Sequence, residues 1–217
     1  PVIVVSIGKA DFDEIARLDN LALDAASTHL RLTSQAIADT ALDANQVVPI
    51  DGETAQQVVS QGYNADGNKP RLLSYRLNLT SEEIFFSFSE TIEVSNINEA
   101  QLTVLDRSNG PSSFTHTLKN VEVLTLDNTW MRVRVSTPDL DIIKEQRELA
   151  VSQNTTFVAI SEDFITDMKG NKIVAHDNSS AVQSSGFTED AVAPTLKSFD
   201  ISMDGNGHLR LTFDETM

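Results

Sequence analysis

With sixteen Lys and Arg against thirty-two Asp and Glu, the 217-residue chain carries a net charge of −16. Binding nucleic-acid phosphates needs clustered cations, which the sequence lacks, and with no cysteine it also excludes disulfides, zinc–thiolate sites and thiol nucleophiles from this stretch. No apolar run is long enough for direct membrane insertion, and the length exceeds what one small domain requires.

Residues 10–23 place Phe12, Ile15, Leu18 and Leu21-Ala22 at helical spacing, predicting a helix. The stretch through Gly52, Gly62-Tyr63, Asp66-Gly67-Asn68 and Pro70 reads as a connector, tacked down by Tyr63. Leu73, Tyr75, Leu77 and Leu79 then alternate with Ser74, Arg76 and Asn78. Ile84-Phe-Phe86-Ser-Phe88 alternates again after a turn at Thr80-Ser-Glu-Glu83, which predicts a hairpin with one face in a core.

Further strands are expected at 101–105, 114–118, 121–126, 130–135 and 156–161, with turns at Arg107-Ser-Asn-Gly-Pro111 and Asp127-Asn128. Seven or so short strands at this spacing argue for a sandwich of two antiparallel sheets. Thr137-Pro138-Asp139 combines an N-cap, a Pro at the first helical position and an acid in the first turn. With Leu140, Ile143 and Leu149-Ala150 following, it predicts a short helix crossing from one sheet to the other. A helical turn is expected over 162–167, then the turn Met168-Lys-Gly170-Asn171 and a last strand at 172–175. Residues 176–186 are the least apolar and read as a second connector, with Phe187 as its anchor.

The hairpin then returns. Pro70-Arg-Leu72-Leu-Ser74-Tyr75 and Phe86-Ser-Phe88-Ser-Glu90-Thr91-Ile92 match Pro194-Thr-Leu196-Lys-Ser198-Phe199 and Leu211-Thr-Phe213-Asp-Glu215-Thr216-Met217, 124 and then 125 positions on. Independently, Asp11-Phe12-Asp13, Leu21-Ala22, Ile37 and Asp39 match Asp139-Leu140-Asp141, Leu149-Ala150, Ile165 and Asp167, 128 positions on. Small changes of offset are what loop insertions between fixed elements produce. Residues 1–69 therefore read as the C-terminal part of one repeat, 70–193 as a complete repeat, and 194–217 as the N-terminal strands of the next. The expected parent is a longer tandem array.

Catalytic signatures are missing. His29, His116, His176 and His208 show no metal-ligand spacing and read as surface or partly packed residues, and Phe157 stands at the repeat position of His29. The acids recur from module to module, as in Glu90 and Glu215 or Asp39 and Asp167, which argues for structural duty rather than an active site. The sharper alternative is calcium. Asp66 and Asn68 before Pro70, Glu189 and Asp190 before Pro194, and Asp167 with Asn171 are oxygen-rich positions at or near the expected joints, where a hard cation would bridge successive modules. The same acids also fit a solvated acidic linker. Sequons at Asn78, Asn154 and Asn178 would be glycan acceptors in a secreted eukaryotic protein, and a Ser/Thr/Asn-rich chain also produces such triplets by chance.

Two motifs bracket the complete repeat: Ser87-Phe88-Ser89-Glu90-Thr91-Ile92 and Asp167-Met-Lys-Gly170-Asn171. They resemble the strand and turn that bound the bacterial immunoglobulin-like repeats of surface-layer and adhesin proteins, and the resemblance covers nearly all of 70–193. It implies an all-β fold of tandem immunoglobulin-like β-sandwich repeats, here lengthened by a short crossover helix in each. It further implies an extracellular, cell-surface structural protein whose modules serve a filament, flagellar hair or stalk. Its partners would be further copies of itself, with a calcium-dependent adhesin that holds a glycan as the other reading. The predicted solvent-facing Phe85, flanked by Ile84 and Phe86, is a candidate lateral contact and fits the completion of a local satellite core equally well.

Overall fold

Alternating apolar and polar side chains settle most of the backbone: the chain is mostly β, in several sheets, with two short α-helices. The computed structural model describes residues 2–18 and 20–216, so Met217, the counterpart of Ile92, lies outside them. The chain divides into two units, 1–67 and 68–217.

The first unit holds α1 (Lys9–Arg17), then β1 (His29–Leu30) paired antiparallel with β2 (Gln56–Gln57). Isolated bridges join Leu32 to Ile50 and Ala38 to Gln46. Tyr63 is an anchor here: its hydroxyl reaches the carbonyls of Ala22 (2.7 Å) and Leu23 (2.8 Å). None of the described residues of this unit is buried.

The second unit runs β3 (Leu72–Asn78), β4 (Glu83–Glu93), β5 (Leu102–Leu105), β6 (Thr115–Thr117), β7 (Val121–Val123) and β8 (Asn128–Val135). After α2 (Thr137–Glu145) come β9 (Phe157–Ile160), β10 (Thr166–Asp167), β11 (Val182–Gln183), β12 (Gly186–Thr188), β13 (Leu196–Ser202) and β14 (His208–Phe213). One sheet has the order β12-β3-β4-β8-β7, with β10 also on β4; another is β11-β9-β5-β6; β13 and β14 form a hairpin. The helix carries the chain from β8 in the first of these sheets to β9 in the second. Their inward rows, Tyr75, Ile84, Phe86, Met131 and Val133 from one and Leu102, Val104, Val158 and Ile160 from the other, share one core with Leu140 and Ile143 of α2. Each such large side chain contributes roughly 1.5–3 kcal/mol by burial.

Four expectations need correction. The polar tract at 176–186 is no simple connector: it supplies β11 and the start of β12, because an edge strand needs main-chain pairing more than apolar side chains. One sheet is mixed, since β12 pairs parallel with β3. Leu73 is exposed and Leu72 buried, because a bulge between Leu72 and Ser74 shifts the alternation by one residue. Residues 166–167 form β10 against Ile92 and Glu93 rather than the end of a helical turn, and 172–175 contribute only isolated bridges.

The backbone of several elements recurs at its matched position. The β3–β4 register, Leu72↔Phe88, Ser74↔Ser87, Tyr75↔Phe86, returns in β13–β14 as Leu196↔Phe213, Ser198↔Thr212, Phe199↔Leu211, with the same bulge. The pairs His29↔Gln57 and Leu30↔Gln56 return as Phe157↔Gln183 and Val158↔Val182. The bridges Leu32↔Ile50 and Ala38↔Gln46 return as Ile160↔His176 and Thr166↔Lys172. Even the rare left-handed alanine recurs: Ala22 has φ 53 and Ala150 φ 50.

Candidate functional site

The most developed polar site lies where α2 meets the β13–β14 hairpin. Helical spacing turns Leu140 and Ile143 into the core and sets Asp141 and Lys144 together on the adjoining face. The Lys144 ammonium lies 2.6 Å from Asp190 Oδ2 and 3.0 Å from Glu215 Oε2. Beside it, Asp141 Oδ1 accepts a hydrogen bond from the Thr216 amide (3.2 Å). The segment between is held as well, because Thr80 Oγ1 donates to the Glu189 carbonyl (2.7 Å) and accepts from the Ala191 amide (3.2 Å).

The side chains of Lys144, Asp190 and Glu215 are only 17%, 22% and 15% exposed, so solvent screens them weakly. Burial alone would push the Lys144 ammonium down and the Asp190 carboxyl up. The hydrogen bonds and opposite charges between them outweigh burial, holding Lys144 above its ordinary value and Asp190 below its own. Chemically, the arrangement clamps two pieces of chain together through charge-assisted hydrogen bonds. Ala16 stands at the repeat position of Lys144.

A second polar centre caps the other end of α2. Ser136 precedes the helix, its Oγ accepting from the Asp139 amide (3.4 Å) and donating to Asp139 Oδ2 (2.8 Å). The buried Asp139 also accepts from the amides of Lys119 and Asn120 (3.1 Å each) and lies 2.7 Å from His116 Nε2. Burial raises its pKa, and these hydrogen bonds, that of His116 first, bring it below the usual carboxylate range. His116 is thus buried and paired, in contrast to the surface or partly packed reading.

The predicted junction residues divide between settings. Asp167 and Asn171 come together in one turn: Asp167 Oδ1 accepts from the amides of Lys169 and Asn171, and Oδ2 from Asn171 Nδ2, all at 2.8 Å. Gly170 closes that turn at φ +81. In the first unit Asp39 makes the same set, to Ala41 (3.1 Å), the Asn45 amide (2.8 Å) and Asn45 Nδ2 (2.9 Å), around a loop two residues longer. Glu90 places a carboxylate oxygen within 4.8 Å of one on Asp167. Asp190 is brought instead to Lys144 and Glu215, and no motif had pointed to Lys144. Glu189 and Asn68 are exposed, and Asp66 is half-buried in the first unit. Of the sequons, Asn154 and Asn178 are exposed, whereas Asn78 is half-buried with its Oδ1 accepting from the Ser81 amide. Among the described residues no helix is long and apolar enough to cross a membrane.

No protein-family model and no curated protein matches the chain. Among solved structures, the crystal structure of the N-terminal part of the bacterial S-layer protein SbsC is similar over 62% of this chain, at 15% identity and a TM-score of 0.34. The chain spans 26% of that structure's length.

Proposed function

We propose that the chain is a stretch of a structural, extracellular tandem array, built of immunoglobulin-like β-sandwich modules of about 124 residues that are stacked as spacers or filament subunits. The observation that carries this reading is the return of the β3–β4 hairpin in β13–β14 with identical pairing and an identical bulge. A bulge is a specific backbone device, so its return at the matched position supports duplication of a whole module rather than convergence of short strands. The Lys144 clamp supports stacking, since it ties the module to the first strands of the next. Electron microscopy of the full-length parent tests it: beaded threads with a regular module repeat are expected, and an isolated globule would overturn the reading.

A second reading, a calcium-dependent adhesin, is favoured by the closeness of Glu90 and Asp167. Two neighbouring carboxylates are the oxygen donors a hard cation takes. Melting with calcium and with chelator separates the readings. A calcium-dependent rise in Tm supports the adhesin, and coincident curves leave the spacer.

A further inference from the structure

The outward face of β3, β4 and β8 departs from the rest of this acidic chain. Strand register sets Arg76 opposite Phe85 and Phe85 opposite Arg132 across the sheet. Trp130 stacks on Phe85 with ring centroids 5.6 Å apart and planes 16° from parallel. The Arg76 guanidinium lies 4.8 Å from the centre of the Phe85 ring. Gly186 on the neighbouring strand leaves room for the Arg76 stem, since a Cβ there would stand 3.0 Å from its Cδ. The result is an ordered row of guanidinium, phenyl and indole, beside a groove of about 350 Å³ whose lining includes Arg76, Asn78, Glu83, Phe85 and Arg132.

Charge marks this face more sharply than its rings do. Arg132 and Arg134 share Glu83 at 4.0 and 3.7 Å, and Arg134 also reaches Glu122 at 2.9 Å. Arg76 forms no ion pair among the described residues, the Glu83 carboxylate on the same groove lying 4.0 and 3.7 Å from Arg132 and Arg134 instead, although acids outnumber bases two to one in the chain. The fold does not require the arrangement. In the returning hairpin Asp200 and Arg210 occupy the positions of Arg76 and Phe85, with the same pairing. An exposed, preordered Arg and Trp cluster, where the returning hairpin has an Asp–Arg pair in place of Arg76 and Phe85, fits recognition better than packing.

We propose that this face is a lateral docking surface for the acidic surface of a second copy of the chain, with Arg76 and Trp130 as its anchors. Charge complementarity selects the occupant: a second copy brings a net charge of −16, and on this sheet face the Arg76 guanidinium is exposed and held by no ion pair among the described residues. The inference rests on the array reading and deepens it by naming the contact that would join neighbouring threads.

Sedimentation velocity of the full chain over a concentration series tests it, comparing wild type with Arg76→Glu, Trp130→Ala and the control Lys119→Glu, whose exposed side chain lies off this face. Circular dichroism checks that each variant is folded. Wild type and the control should self-associate alike, while Arg76→Glu and Trp130→Ala weaken association about tenfold or more, and raised salt weakens the wild type. Equal association of all four folded proteins, or a wild type monomeric throughout, would overturn the proposal. So would a monomer whose Arg76 face binds polygalacturonate instead, since the occupant is then an acidic glycan. Beaded threads of the parent that survive Arg76→Glu with unchanged lateral bundling would sink this contact and leave the array reading intact.

Discussion

Lys144, on the last turn of α2, holds Glu215 at 3.0 Å across 71 positions of sequence, with Asp190 as the other half of the grip at 2.6 Å. Both carboxylates come from outside the two facing sheets, after β12 and after β14. The strength of this contact therefore sets how firmly the β13–β14 hairpin is held on α2.

Lys144→Met keeps the stem and removes the charge, leaving two partly buried carboxylates facing each other. The hairpin's local stability should fall by about 1–2 kcal/mol. Hydrogen exchange of the β13 and β14 amides checks this: they should exchange about tenfold faster, while the β4 and β8 amides are unchanged. Unaltered exchange in the hairpin would count against the clamp.

Asp139→Ala should cost about 3 kcal/mol, because the amides of Lys119 and Asn120, the Ser136 hydroxyl and His116 all lose their acceptor in a buried place. Asp11, at the matched position of α1, is exposed, so Asp11→Ala should stay within about 0.5 kcal/mol. Denaturant unfolding compares the pair. The pH dependence has a definite direction. The folded pKa values of Asp139 and Asp190 lie below the ordinary value, so their contribution is complete above about pH 4 and is lost as the pH falls through the folded values. Lys144 adds the mirror case at high pH: its raised pKa gives stability that is present below about pH 10 and lost above.

Tyr75→Phe should leave stability unchanged or raise it by about 1 kcal/mol. The Tyr75 hydroxyl is buried without a hydrogen-bond partner, and burial drives its pKa upward. The chain already carries this exchange, since Phe199 stands at the same position in the returning hairpin. A loss of more than 1 kcal/mol in thermal unfolding would mean that the hydroxyl has a partner after all.

Asp167→Ala removes three hydrogen bonds from one turn and should cost about 2–3 kcal/mol. Gly170→Ala, at φ +81, should cost about 1 kcal/mol by itself. Because both changes act on one turn, the double variant should lose less than the sum, which a double-mutant cycle measures.

Much of the fold was legible because period-two alternation survives wherever one face is buried, as in Tyr75, Leu77, Ile84 and Phe86. It failed at Leu73, where a bulge adds a residue that no alternation announces. It failed again at Val182 and Gln183, whose strand is defined by pairing with Phe157 and Val158 rather than by its own side chains. The site was harder to read. Asp167 and Asn171 were visible as a repeated turn, because their bonds are local. Lys144 with Glu215, and His116 with Asp139, join distant positions, and a single charge or imidazole leaves no local pattern. One signal was present in the sequence: Lys144 breaks the repeat, with Ala16 at its matched position.

Pulling the chain by its two ends in a single-molecule force experiment tests the modular account most directly. The first unit has no buried residue among those described, and the β13–β14 hairpin exposes Phe199, Ile201, Leu209 and Leu211, so both should yield at low force. One dominant rupture should follow, releasing about 124 residues, roughly 400 Å of extended chain. A single rupture that frees nearly the whole polypeptide at once would instead mean one continuous globule and would contradict the array.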